Sequence, residues 1–535
     1  MASRLLAVFD WSFAPEPPAS PGHLGPRWLF LRALGLIYFS AFYSLAFQIR
    51  GLIGPNGILP AGSYLEAVDS YFHDIARFWY APTLLWFASG NRAVELICWT
   101  GLAASLLAVF NIWPRLSLLT CFLSYLSFVS AAQDFSGYQS DGMLLEAGFI
   151  ALFLAPWGLR PGLGRAAPPS RASTFLLQWE WFRIYFESGA AKLLSGDRDW
   201  RHLTAMDQYY QNGPLPTWIG WYLQQLPHRF HGATAFATLA LELAIVWMLF
   251  LPRRFRIICF WIVTPWEIAV ILTANYTFLN YLVLSLGILL LDDKFLDWCL
   301  PARWKYLQPV PALPAPASGA RAWLERWRHR TAFARRIIAA FWLTWIFYAT
   351  TAQMIWAFAP GAPLPRSPVT ALDPSRIANR YGLFAVMTPN RYEIEFQGSS
   401  DGLTWKTYPF RYKPQALNEA PRIYAPYQPR LDWNLWFASL GSWRENSFVL
   451  RTEERLLENS PEVLALFAGN PFPGRPPAQV RAAIWQYWFT DIKTKRETGL
   501  WWRRESLGLY APALERTADG RFTIVELPGE DERFP

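Results

Sequence analysis

Within one otherwise apolar stretch, residues 174–194, the chain carries Glu180, Arg183, Glu187 and Lys192. Charge inside a membrane-length apolar run is costly and persists where the groups pair with one another or serve a function. Glu180, Arg183 and Glu187 stand at i, i+3 and i+7, so a helix places them on one face. That pattern reads as an internal ion network, either fixing helix register or lining a polar path. Lys192 is offset from this face near the end of the run, where its stem can snorkel to the interface. Desolvated instead, it is a candidate base or nucleophile, since burial favours the neutral amine. Glu146, Glu242 and Glu267 are single carboxylates in three other apolar runs, available to pair with Arg183 or to line a cavity.

The remaining candidates are weaker. His228 and His231 (PHRFH) have a spacing that puts both on one helical face, with His202 and Asp207 in the same stretch. Metal binding needs three or four convergent ligands, so the pair reads as part of an interfacial amphipathic helix, and no metal site is expected. Cys98, Cys121, Cys259 and Cys299 each lie in or beside an apolar run with no CxxC among them. They build neither a disulfide framework nor a thiol oxidoreductase, and are expected as buried small apolar side chains. The sequence has no GxSxG elbow, P-loop, GxGxxG or HExxH, which disfavours a lipase, a nucleotide-driven pump and a zincin.

These residues are carried by a chain of 535, with 53% hydrophobic, 17% aromatic and 17% charged residues and a formal charge of +9. That composition excludes a disordered chain and points to membrane spans plus a polar part. The Lys and Arg residues are scattered through short loops rather than clustered in a groove, so they signal topology, and no nucleic-acid partner is expected. Residues 1–27 read as a cytoplasmic N-terminal segment without a cleavable signal, because Arg4, Asp10 and Glu16 precede any apolar run. Runs long enough to cross about 30 Å of hydrocarbon fall at 28–47, 93–113, 116–132, 141–157, 174–194, 233–251, 257–274, 276–291 and 337–358. The expectation is therefore an α-helical multi-pass bundle of about nine spans, residues 28–358. The segment 78–88, short and broken by Pro82, reads as interfacial or re-entrant.

Orientation follows the basic loops. Loop 158–173 holds Arg160, Arg165 and Arg171, loop 252–256 holds Arg253, Arg254 and Arg256, and loop 293–336 is densely basic. These are expected inside, and the loops 48–92, 133–140, 195–232 and 274–276 outside. Nine spans then alternate without conflict, with everything after 358 outside. Within loop 293–336, the Pro/Ala-rich 309–317 reads as a stiff connection. The basic stretch 321–336, with Trp323 and Trp327, reads as an anchor to anionic lipid of the bilayer.

Residues 359–535 differ in composition and read as an extracytoplasmic α+β domain. Alternation at 392–396 and 404–412 around GSSDG predicts a hairpin. Residues 431–440 and 478–490 are expected as helices and 499–504 as a strand. Trp200, Tyr209, Tyr210, Trp218 and Trp221 crowd the outer loop 195–232 and read as an interfacial belt or a client-binding surface. Asp432, Trp433 and Trp436 read as domain core or client contact.

Several longer motifs occur in one order: GLIGPNGILP (51–60), YQSDGMLLEAGFIALFLAPW (138–157), ESGAAKLLSGDRDWRHLTAMDQYYQNGPLP (187–216) and LPHRFH (226–231). They continue with NRYGLFAVMTPNRYEIEFQGSSDGLTWKTYPFRYKP (379–414) and QPRLDWNLWFASL (428–440). In these the chain resembles the lipase maturation factor family. The resemblance implies a multi-pass membrane protein that assists the folding of secreted lipases or other exported clients, without a cofactor. Eukaryotic members sit in the endoplasmic reticulum with a lumenal C-terminal domain. The Pro/Ala/Arg-rich composition and the ending ERFP point instead to a bacterial inner membrane. Tyr427 stands where the resemblance leads one to expect histidine.

The membrane half also resembles, more distantly, the transmembrane domain of vitamin K-dependent carboxylase. The resemblance is carried by GAAKL with Trp200, and by it Lys192 matches a catalytic lysine. The main expectation is a holding chaperone, whose exposed aromatic surface binds an unfinished client and slows its aggregation. The alternative is a carboxylase-like membrane enzyme using Lys192. Oligomeric state is left open.

Overall fold

The computed structural model describes residues 2–16, 22–299 and 320–529, the side chains of 2, 3, 5 and 320–329 excepted. The 309–317 segment, the terminal ERFP and the Trp323 and Trp327 side chains lie outside the described residues. The longer helices are α1 (Ala2–Phe13), α2 (Leu24–Ala46), α3 (Asn91–Val109), α4 (Pro114–Ala131), α5 (Gln139–Leu154) and α6 (Arg171–Leu194). Then follow α7 (His228–Leu243), α8 (Arg253–Thr273), α9 (Leu279–Gly287), α10 (Ala320–Phe358), α11 (Arg430–Ala438) and α12 (Phe448–Leu457).

Every predicted apolar run lies on a helix, but among the described residues six helical stretches are long and apolar enough to span: α2, α3, α4, His228–Phe250, α8 and Arg330–Phe358. The other three runs differ for physical reasons. Helix α5 has 16 residues, about 24 Å at 1.5 Å per residue. Helix α9 has nine residues before a 3₁₀ turn through Leu290. Helix α6 is long enough at 24 residues but carries Glu180, Arg183, Glu187 and Lys192. Both α5 and α6 are buried along nearly their whole length, so protein rather than lipid surrounds their charges. By contrast only 28% of the α7 window and 17% of the α8 window is buried, which makes those two outer helices.

One end of the bundle gathers the basic segments. There Arg27 donates to Leu163 O and Ala167 O, the Leu24 and Gly25 amides donate to Asp293, and Arg253 bonds Asp292. The opposite end is covered by the C-terminal residues.

Those residues form a six-stranded antiparallel sheet of β1 (Arg391–Ser399), β2 (Trp405–Thr407), β3 (Gln479–Phe489), β4 (Trp502–Leu509), β5 (Ala513–Arg516) and β6 (Phe522–Glu526). The order is β2-β1-β3-β5-β6, with β4 beside β3 on the edge it shares with β5. The predicted hairpin is β1–β2, and Asp401 fixes its turn by accepting from the Leu403 and Thr404 amides at 2.9 and 2.7 Å. Those bonds hold the Asp401 carboxyl well below the usual carboxylate range.

The helix expected over 478–490 is instead β3. The Ala-rich start suggested helix, yet Ile484, Trp485, Tyr487, Trp488 and Phe489 fit a strand paired on both edges. The strand expected from 499 begins at Trp502, because Gly499, at φ +76°, closes a short helix. The predicted 431–440 helix is α11. A single apolar core runs without a break from the membrane helices into this sheet and α12.

Candidate functional site

Between α10 and β1 the chain does not cross open solvent. Residues 376–391 lie as a strap along α6 and the loop that follows it, and the charges foreseen within the apolar runs are what hold it. Arg183, fully buried on α6, bonds Glu146 of α5 and donates to Asn379 O at 2.7 Å. The second oxygen of Glu146 accepts from the Asn379 amide at 2.9 Å, the Asn379 side chain at 3.1 Å and the Tyr381 hydroxyl at 2.9 Å. One turn along α6, Glu187 accepts from the Tyr381 amide at 2.8 Å, and Ser188 Oγ from the Leu383 amide at 3.1 Å. Glu180 lies fully buried on the same face. Arg183, Glu187 and Ser188 thus form a docking rail whose strap partners are backbone groups.

Lys192 does not snorkel. It is 2% exposed and points inward, donating to both oxygens of Glu242 at 2.8 and 2.9 Å and to Leu383 O at 3.0 Å. Its amine also sits 5.1 Å above the Trp200 ring. Glu242 therefore partners Lys192 rather than Arg183, and Glu267 accepts from the Tyr185 hydroxyl at 2.5 Å. The rail continues into the 195–232 loop. Trp200 Nε1 donates to Phe384 O, Ser195 Oγ to Ala385 O, the Met387 amide to Asp197, and Asn212 to Thr388 O. At the sheet, Arg391 ends the strap by donating to Gln211 O and Pro214 O while pairing with Glu393, which in turn meets Lys413.

Two further pins join the halves. Arg430 of α11 reaches Asp141 at the start of α5 and also donates to the Tyr125 hydroxyl at 2.9 Å. Asn275 accepts from the Tyr424 and Ala425 amides and donates to Arg422 O. Tyr427 stacks on Tyr412 with centroids 5.2 Å apart and accepts from Gln48.

The rings read as belt or client surface fill this seam. Trp200, Tyr209, Tyr210, Trp221, Trp433 and Trp436 are all buried, as is Asp432; of that group only Trp218 is exposed. Asp432 accepts from the Tyr412 and Lys413 amides at 3.2 and 3.1 Å, and burial pushes its carboxyl up to about 6. Exposed rings are found on many helix faces, and one run of them, Tyr71, Phe78, Trp79, Tyr80 and Phe87, lies around the broken 78–88 segment. That segment is a short helix, Ala76–Tyr80, followed by a 3₁₀ turn, Leu84–Trp86.

His228 and His231 both approach Asp207, at 2.9 and 3.4 Å, and among the described residues no group of three or more possible ligands converges. Cys98, Cys121 and Cys259 are buried, whereas Cys299 is exposed, against expectation, at the end of a short helix after Asp293.

Sequence reasoning found the charges on α5 and α6 but not Asn379, Tyr381, Asn275 or Arg430. Asn379 and Arg430 stand inside motifs quoted above, but nothing in their spacing points across to the membrane helices.

The two halves of the chain each match a known family by sequence. The model of the lipase maturation factor transmembrane domain matches residues 25–298, and that of the lipase maturation factor C-terminal domain matches 377–512. Lipase maturation factor 1 of Mus musculus is 31% identical over 94% of this chain and 90% of its own length. Lipase maturation factor 1 of Bos taurus is 30% identical over 96% of each. Lipase maturation factor 2 of Gallus gallus is 30% identical over 94% of this chain and 83% of its own length. No solved structure matches the chain significantly. With two domain models in order and relatives aligned nearly end to end, the chain belongs to the lipase maturation factor family.

Proposed function

We propose that the protein is a membrane-anchored folding factor for exported lipases or other secreted clients, with its sheet domain on the outer side of the membrane. The observation that carries this reading is the strap. It fixes a polar, folded domain over one end of a helical bundle, while the aromatic segment 71–87, packed on α3 and α4, stays exposed. Large rings bury much apolar area at low entropic cost, which suits transient contact with unfinished chains. The segregation of Arg27, Arg253 and Arg256 to the opposite end supports that end being cytoplasmic. All nine predicted runs then act as spans, with α5, α6 and α9 as an inner, protein-enclosed layer.

The test is the activity per milligram of lipases exported by a host with the gene deleted, then restored as the full chain or as one lacking residues 359–535. Specific activity that falls on deletion and returns only with the full chain supports the reading. Lipases untouched by deletion would sink it. A reporter fused after Pro535 that stays cytoplasmic would sink the topology.

A further inference from the structure

Beside the strap, a cavity of about 310 Å³ lies among α6, α7, α8 and α9, within the span of small-molecule sites, about 300–1,000 Å³. Its wall is mainly apolar, with Leu223, Trp266, Val270 and Val283 on the helix side and Phe384 of the strap as cover. From α7, Thr234, Thr238 and Glu242 line it at intervals of four, one face of that helix.

The chamber lies against α8, whose outer side is largely uncovered by protein. Helix α7 packs on α6, while α8 packs on α9 and on the 245–250 turn that joins it to α7, so α7 and α8 approach at the turn and part beyond it. Pro265 lies inside α8 beside Trp266 and Glu267, where it removes one backbone donor from the helix. Ala269 of α8 both lines the cavity and is exposed on the outside of the bundle. A molecule dissolved in the bilayer therefore has a lateral way in.

The polar groups in the wall define what enters. Lys192 and Glu242 close on each other, and the lysine's remaining direction is taken by Leu383 O. Glu267 is bonded to Tyr185. Asn280 is different: it is only 6% exposed, and its carboxamide oxygen has no partner among the described residues. A buried acceptor is costly until a donor reaches it.

We propose that this cavity binds a neutral amphiphile from the bilayer, of the monoacylglycerol class. A head hydroxyl donates to Asn280 Oδ1, and a single chain lies against Trp266, Val270 and Phe384. A phosphorylated or carboxylate head would bring uncompensated charge against a wall whose ion pair is already closed. The inference does not rest on the folding role, and each can fail without the other.

The experiment uses the full chain in phosphatidylcholine nanodiscs, photolabelled with a monoacylglycerol that carries a diazirine and an alkyne on its chain. The expected result is saturable labelling of α7, α8 and α9 peptides, competed by 1-monooleoylglycerol but not by oleate or methyl oleate. Asn280→Leu weakens binding about tenfold. Thr238→Phe fills the chamber and abolishes labelling, and Phe236→Leu, on the exposed far side of α7, leaves it unchanged. Melting curves and gel filtration identify a variant that fails to fold, and in that event the competition series on the unaltered chain still decides. Non-saturable labelling spread over the lipid-facing surface overturns the proposal. So does equal competition by oleate or by methyl oleate.

Discussion

Arg430 and Asp141 stand 289 positions apart in the chain and meet through two parallel hydrogen bonds of 2.9 Å each. Both are buried, and the guanidinium also lies 4.6 Å over the Phe128 ring. A bidentate Arg–carboxylate pair is directional as well as strong, so this contact sets the angle at which α11, and the sheet behind it, meets the helices.

Removing one partner of such a pair leaves a buried charge unmatched, at a cost of about 3–5 kcal/mol. Arg430→Met is therefore expected to lower the melting temperature of the detergent-solubilised protein by several degrees and to expose the C-terminal domain to protease. The double variant Arg430→Met, Asp141→Leu should recover much of the loss. Equal losses in single and double variants would mean that the pair does not couple the two halves.

The strap is held by single hydrogen bonds that can be tested singly. Tyr381→Phe removes one of the donors to Glu146 and costs about 1–3 kcal/mol. Hydrogen exchange of amides 376–391 should quicken about tenfold, with the amides of β3 unchanged. Unchanged exchange in the strap would show that the backbone contacts hold it without the phenol.

Asp432 gives the domain a defined pH response. Its carboxyl, pushed to about 6 by burial, binds a proton more tightly folded than unfolded, where it titrates near 3.8. Its contribution is fully present below the unfolded value and is lost as pH rises through the folded one. At neutral pH the charged form thus subtracts up to about 3 kcal/mol. Asp432→Asn, which keeps an acceptor for the Tyr412 and Lys413 amides, should flatten the pH dependence of melting between about 4 and 6. An unaltered pH profile would place the titrating group elsewhere.

For Lys192 the ion pair dictates the variant. Lys192→Ala alone strands the Glu242 carboxylate and should reduce the amount of protein in the membrane. Lys192→Met with Glu242→Gln removes both charges and, for a folding factor without lysine chemistry, should restore exported lipase activity. Normal membrane levels without lipase rescue would put the amine itself in the function.

The charges of α5 and α6 were legible because a helix converts spacing into a face. The Arg183–Glu146 pair was legible with them, but the partners on the strap were not, since it answers largely with backbone groups, Asn379 O, the Tyr381 amide and Leu383 O, that carry no side-chain signature. The β1–β2 hairpin was legible from GSSDG and alternation, and α11 from its apolar spacing. Residues 478–490 misled because alanines favour a helix locally, whereas two paired edges made them the central strand. The rings of the outer loop looked like a belt because composition does not tell lipid from a covering domain. Trp221, for one, is buried against Trp501 and Phe489.

The strap also sets an order of events during synthesis. A ribosome that has finished residue 358 has made every helix of the bundle, and Arg183 can pair with Glu146 and Lys192 with Glu242, yet the hydrogen-bonding groups that Arg183, Glu146, Glu187 and Lys192 find between 379 and 383 have still to arrive. Until that stretch docks, the helices hold buried polar groups short of hydrogen-bond partners, which is costly. Completion of the C-terminal domain then doubles as a checkpoint on the membrane part: a chain truncated after its last helix is expected to be short-lived, however well its helices insert.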